Sequence, residues 1–300
     1  MASEQAEAIN EQLRQVAGSI DPTMELAELR AIYSEFSAMT ADPDGVAWTD
    51  VDAGGVPAIW ASPANGSNDR VVQYVHGGGY VMGAAEYYRK LTGHLANAIG
   101  CRVLNVDYRL APEHPHPAPV EDSTAAYRWL LEQGIESGHI AVAGDSAGGG
   151  LTVATLLSIR AAGLPMPAAA MPLSPWVDME GTGDSATSRV ERDLLVHADM
   201  LKGMADAFLQ GQDPRDPLAA PLHADLSDLC PLYIQVGDDE TLLDDSIRLA
   251  ERARRAGVEC RLDVFPEMQH VFQMAAGNMP EADEAIGRLA DWVRPRLGLG

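Results

Sequence analysis

The chain has 300 residues, 46% of them hydrophobic, with a formal net charge of −23 and an isoelectric point near 4.5. That size fits one large domain with a small appended cap. So acidic a chain is a poor partner for nucleic-acid phosphates or an anionic membrane surface, both of which call for basic residues, so neither is expected as a partner. Lysine occurs only at Lys90 and Lys202, and arginine supplies the rest of the positive charge. Cys101, Cys230 and Cys260 form no Cys-x-x-Cys pair and sit at or beside predicted strands, so they read as reduced core residues of a cytoplasmic protein. Residues 1–16 lack the basic flank and apolar block of a secretion signal, and no apolar run reaches the length of a membrane span.

Residues 1–40 read as two helices. Ile9, Leu13 and Val16 recur at helical spacing, and Leu26, Leu29, Tyr33 and Phe36 make a second stripe after an apparent cap at Asp21-Pro22. Preceding any strand, they suit a cap over the main domain (residues 1–45) or a cover for one sheet face. Asp42-Pro43-Asp44-Gly45 is a turn.

Strands and helices then alternate. An opening hairpin spans 46–51 and 58–61 around Gly54-Gly55. Further strands are expected at 71–75, 103–106, 140–143, 168–173, 232–236 and 261–265. Helices are expected at 87–99, 123–131, 151–164, 242–256 and 282–293. Alternation of this kind gives an α/β fold with a mostly parallel sheet and helices on both faces, here over 46–177 and 226–300. The stretch 178–225 is too long for an ordinary connection and reads as a cap insertion. Within it Met200, Met204 and Phe208 share a helix face, which suits either an acyl-group wall or plain packing.

Ligands of such sheets bind beyond the carboxyl ends of the strands, and four chemical clusters fall there. The first is Gly144-Asp145-Ser146-Ala147-Gly148, between a strand and a helix. A serine at the tip of so tight a turn is strained, and its flanking glycines leave no room for side chains. Its Oγ stands at a helix N-terminus, where negative charge is favoured. By itself a glycine-rich strand-to-helix turn also serves simple packing. The second is His76-Gly77-Gly78-Gly79-Tyr80. Three glycines in a row are entropically unfavourable unless the backbone has a task, such as aiming N–H groups at an oxyanion, with Ala147 as the matching donor. No Walker lysine follows, and no Gly-x-Gly-x-x-Gly opens a helix, which disfavours a phosphate. His76 suits a loop prop better than a titrating catalyst.

The third cluster is Gly237-Asp238-Asp239-Glu240-Thr241-Leu242-Leu243-Asp244-Asp245. Its five carboxylates invite a metal, but most read as a solvated helix N-terminus, with one held beside a histidine. The fourth is His270, in a late loop, which completes the chain order serine, acid, histidine. His114 and His116, separated by Pro115, suit a rigid loop better than metal ligation.

Together with Asp107-Tyr108-Arg109-Leu110-Ala111-Pro112-Glu113, the glycine loop and the serine turn resemble the bacterial hormone-sensitive-lipase family of α/β-hydrolase esterases, from about residue 70 to the C-terminus. The resemblance implies an eight-stranded sheet, a helical cap, no cofactor and no metal, and hydrolysis of short- to medium-chain acyl esters. It implies Ser146 as nucleophile, His270 as base, and the amides of Gly78, Gly79 and Ala147 as oxyanion donors. The acid falls at Glu240, three residues after the glycine and two before Leu242, where the family usually has aspartate; Asp239 and Asp238 are the alternatives. His270-Val271-Phe272 stands where the family has His-Gly-Phe. The run 174–178 with 236–245 further resembles members acting on lactones, so a lactone hydrolase on the same residues is the second reading. A catalytically inactive small-molecule-binding relative is a third. A homodimer is a common assembly among such relatives.

Overall fold

A computed structural model describes residues 2–20 and 24–300. The expected Asp21-Pro22 cap lies outside the described residues. Two helices come first: α1 (Glu4–Ser19), whose N-cap Ser3 accepts from the amide of Ala6, and α2 (Leu26–Ser34), which opens on a capping box between Glu25 and Glu28. A 3₁₀ turn, Glu35–Met39, follows.

The strands are β1 (Val46–Asp52), β2 (Pro57–Pro63), β3 (Ser67–Val75), β4 (Cys101–Val106), β5 (Ile140–Asp145), β6 (Ala169–Leu173), β7 (Leu232–Gly237) and β8 (Cys260–Phe265). They form one eight-stranded sheet in the order β1-β2-β4-β3-β5-β6-β7-β8. Its first strand pairs antiparallel to β2, β2 antiparallel to β4, and every later pairing is parallel. This is the mostly parallel sheet expected from the alternation, with the eight strands that the resemblance implied. The central strands β5, β6 and β7 are buried along their whole length, as strands covered by helices on both faces must be.

The connecting helices are α3 (Arg89–Ile99), α4 (Ala118–Glu132), α5 (Ala147–Ala161), α6 (Ser185–Ser188), α7 (Ala198–Leu209), α8 (Leu243–Arg255) and α9 (Pro280–Val293). Two of them begin four or more residues earlier than the sequence pattern suggests. Helix α4 starts at Ala118 because Pro119 sits in its first turn, where its missing N–H costs nothing. Helix α5 reaches back to Ala147, so Gly148-Gly149-Gly150 is helical and fully buried. Those glycines permit close approach. A Cβ on Gly148 would run into the carbonyls of Val75 and His76, and one on Gly150 into that of Trp176.

One core packs α4, α5, α7 and α8 against the sheet, and a second packs α3 and α9 on the other face. A third cluster joins Ala6, Ile9 and Leu13 of α1 to Phe265, Met268 and Phe272 around the end of β8. The 178–225 stretch holds α6, α7 and a 3₁₀ turn, Pro221–His223. Phe208 on α7 is buried face to face on Tyr80, with ring centroids 3.9 Å apart, so this side of the predicted methionine and phenylalanine face is core. No helix among the described residues is long and apolar enough to cross a membrane.

Candidate active site

Ser146 follows β5 directly, at φ 54° and ψ −122°, a backbone region that costs about 1–3 kcal/mol and persists only where the surroundings enforce it. Its amide donates to Leu173 O at 2.8 Å, and its carbonyl accepts from Trp176 N at 2.9 Å and Gly150 N at 3.1 Å. A Cβ on Gly144 would meet the Val75 carbonyl and the Gly148 backbone. The two flanking glycines are therefore required by contact with β3.

The glycine loop leaves the end of β3 one strand away. Gly78 and Gly79 adopt φ of 111° and 62°, open to glycine and strained for other residues. Its anchor is Asp145, whose buried carboxylate accepts from Gly77 N at 3.0 Å, Tyr74 Oη at 2.7 Å and Tyr88 Oη at 3.0 Å. Burial lifts that carboxyl to about 6 against the pull of these donors. His76 is a prop, as expected. Its Nδ1 lies 2.7 Å from Gly77 O, its ring stacks on Tyr108 at 4.3 Å, and burial lowers its pKa.

The Asp107–Glu113 motif holds this loop from outside. Asp107 accepts from Ala85 N, Tyr108 Oη donates to His76 O, and Arg109 forks onto Asp122. Glu113 pairs with Arg30 of α2.

Glu240 comes off β7 and His270 off β8. Glu240 Oε2 lies 2.8 Å from His270 Nδ1, with both side chains buried. The other oxygen, Oε1, accepts from Ser174 Oγ at 2.7 Å and Gly237 N at 2.5 Å. Ser174 Oγ accepts in turn from Val271 N at 3.2 Å. Burial raises the Glu240 carboxyl in spite of His270. Burial of His270 disfavours its charged form, but the hydrogen bond and charge of Glu240, with Asp193 and Asp145 behind, outweigh it and raise its pKa. Val271 adopts φ 52° and ψ 41°, a left-handed conformation natural for glycine and costing a β-branched residue about 1–2 kcal/mol.

The other four carboxylates depart from the sequence reading of a solvated helix N-terminus. Asp238 bonds Arg189 and Arg192, and Asp239 pairs with Arg192. Asp244 accepts from Ser185 N, and buried Asp245 accepts from the amides of Val177 and Asp178 at 2.8 and 3.0 Å. They tie the 174–193 stretch to α8. Neither Asp238 nor Asp239 is bonded to His270, and both are committed to arginines.

Ser146, His270, Gly78 and Gly79 line one apolar cleft that is open to solvent. Its walls come from α1 (Ile9, Leu13, Ala17), from Tyr33 and Phe36, and from Met200, Leu201 and Met204 of α7. Sequence reasoning missed Ser174 as a partner of Glu240, the bonds of Arg30 to Val81 O and of Tyr33 to Tyr88, and the approach of Met204 to Gly79. Only Ser174 had a signal, its place immediately after a predicted strand.

A buried histidine–carboxylate pair, a strained serine on a strand-to-helix turn and a loop of left-handed glycines, all at one edge of this sheet, define a hydrolase of the serine type. Residues 72–274 match the family model described as alpha/beta hydrolase fold. The chain is 44% identical over 250 residues to an acetyl-hydrolase of Streptomyces hygroscopicus, covering 83% of each protein. It is 35% identical over 241 residues to carboxylesterase NlhH of Mycobacterium tuberculosis, covering 77% of this chain and 75% of that one. Among solved structures, an esterase of the bacterial hormone-sensitive lipase family superposes with a TM-score of 0.96 at 43% identity, over 99% of this chain and 100% of that one. A structure of the esterase EstE5 soaked with p-nitrophenyl butyrate gives 0.92 at 39% identity, over 99% and 100%. The chain belongs to the alpha/beta hydrolase fold family and is a hormone-sensitive-lipase-like carboxylesterase.

Proposed function

We propose that this serine carboxylesterase works through Ser146, His270 and Glu240 on short- to medium-chain acyl esters. The reading is carried by the 2.8 Å bond between Glu240 and His270 at the rim of the cleft that Ser146 lines. His270 Nε2 takes the Ser146 proton as Oγ adds to the ester carbonyl. The amides of Gly78, Gly79 and Ala147 receive the oxyanion. Collapse returns the proton to the departing alcohol and leaves an acyl-serine, which water cleaves by the same steps. Glu240 fixes the tautomer that keeps Nε2 free to accept and stabilises the imidazolium that forms.

Residues 1–45 and 178–225 act as the cap, since α1, α2 and α7 supply the apolar wall that selects an acyl chain. The three free cysteines favour the reducing cytoplasm, and the net charge of −23 disfavours nucleic acid.

The deciding experiment is p-nitrophenyl butyrate hydrolysis by the purified protein beside Ser146→Ala. Loss of turnover in a folded mutant is the expected result, and equal turnover in both would overturn the nucleophile assignment. A seven-membered lactone assayed beside its open-chain ester then fixes the substrate class, with the open-chain ester expected to be faster.

A further inference from the structure

A chain of hydroxyls runs from the cap to the catalytic loops. Tyr33 Oη, on α2, lies 2.7 Å from Tyr88 Oη, and Tyr88 Oη lies 3.0 Å from Asp145 Oδ2. The opposite oxygen, Oδ1, accepts from Tyr74 Oη and Gly77 N. The proton inventory fixes the direction. An ionised carboxylate only accepts, so the single phenolic proton of Tyr88 goes to Asp145, and Tyr88 Oη must accept from Tyr33. The order is Tyr33 to Tyr88 to Asp145, and the carboxylate is pinned from both oxygens.

What the carboxylate holds gives this chain its meaning. The backbone of Asp145 precedes Ser146, and its Oδ1 holds the amide that begins the glycine loop. If the donor on Oδ2 weakens, the carboxylate can swing about its side-chain torsion and carry the Gly77 amide with it. The same helix grips the far side of the loop, where Arg30 Nε donates to Val81 O at 2.9 Å. Helix α2 thus holds the glycine loop at both of its ends.

We propose that Tyr33 is a positioning residue for ester hydrolysis: through Tyr88 and Asp145 it holds Gly77, and so the oxyanion donors that follow, in their working geometry. The proposal rests on the serine-esterase reading. It assigns the N-terminal cap a part in the chemical step as well as in forming the acyl wall. Tyr33 also lines the cleft, so a plain wall role predicts a change in KM, whereas a positioning role predicts a change in kcat.

The test is a double-mutant cycle on p-nitrophenyl butyrate. Tyr33→Phe removes one hydroxyl and leaves the ring, and is expected to lower kcat about 5-fold with KM within about twofold, the scale of one weakened hydrogen bond. Tyr88→Phe should cost more. Adding Tyr33→Phe to it should cost nothing further, because Tyr33 acts only through Tyr88. Affinity for an alkyl trifluoromethyl ketone, which forms the tetrahedral oxyanion on serine, should fall in Tyr33→Phe by the same factor as kcat/KM. If the two tyrosine effects simply multiply, or Tyr33→Phe raises KM at unchanged kcat, the proposal fails. Tyr33→Phe and the ketone decide the matter alone should Tyr88→Phe not fold. Ser146→Ala, run alongside, separates this failure from that of the esterase reading, since only turnover surviving in that variant would sink the latter.

Discussion

Ser174 stands between Glu240 and the His270 loop: its hydroxyl donates to Glu240 Oε1 at 2.7 Å and accepts from the amide of Val271, the residue after His270, at 3.2 Å. One hydroxyl from a third strand end thereby sets the distance between two loops that approach from β7 and β8. Glu240, although longer by a methylene than the usual aspartate, is held to a single reach by this bond and by Gly237 N.

Removing the charge from Glu240 tests its part directly. Glu240→Gln should lower kcat by about 10²-fold or more, because the amide can donate to Nδ1 and favour the wrong tautomer. Asp239→Asn should stay within about threefold, since Asp239 pairs with Arg192 and is not bonded to His270. The reverse ranking in purified-enzyme kinetics would move the acid to Asp239.

The acid limb of activity follows from His270. In the proposed mechanism the neutral ring is the base, so kcat/KM should rise as pH climbs through the pKa of the free enzyme, which Glu240 holds above the ordinary histidine value. The midpoint is expected above about 6.5, and Glu240→Gln should move it down. A pH profile of the residual activity reads both.

The glycine loop gives a ranking. A methyl on Gly78 would strike the backbone carbonyl of Met82, which cannot step aside, while one on Gly79 meets the side chain of Met204, which can. Both residues are left-handed, a strain of about 1–3 kcal/mol for alanine. Gly78→Ala should therefore lose more kcat and more thermal stability than Gly79→Ala, and shortening Met204 in the Gly79→Ala background should recover part of the loss.

Asp245 predicts how stability depends on pH. Burial, reinforced by the nearby charge of Asp178, raises its carboxyl to about 7 despite two amide donors. A raised acid binds its proton more tightly when folded, so its contribution to stability is fullest below about 4, the unfolded value, and falls as pH rises through 7. Asp245→Asn keeps an oxygen for the amides of Val177 and Asp178 and loses the charge, so it should flatten the decline of Tm between about pH 4 and 7. Asp245→Ala leaves both amides unpaired and should cost about 1–3 kcal/mol by denaturant unfolding.

Ser146 and the loop after His76 were legible in the sequence because their geometry can be built only from glycine at fixed places, and backbone sterics leave a local trace. Glu240 was singled out only by the family resemblance, which places the acid three residues after Gly237; the spacing by itself left Asp238 and Asp239 open. The sheet followed from alternation, with strand ends within a few residues. What escaped was contact between distant positions. Nothing near Tyr33 signals that its hydroxyl meets Tyr88, and the place of Ser174 after a strand puts it at the site's edge of the sheet without naming Glu240, 66 positions away, as its partner. The acids of α8 were misread for the same reason: an acidic first turn satisfies the helix dipole in any sequence, and only the fold reveals that Asp245 faces inward.

Helix α1 has a temporal consequence. Its apolar stripe, which walls the cleft, closes on Phe265, Met268 and Phe272, and its N-cap Ser3 is tied to Glu281 across 278 positions of chain. At roughly 5–20 residues per second of synthesis, α1 emerges tens of seconds before its partner exists. Throughout that interval Ile9 and Leu13 have no native surface to cover. The nascent chain carries its serine turn and glycine loop long before His270, the proposed base, which follows β8 and so joins them only after the last strand is made.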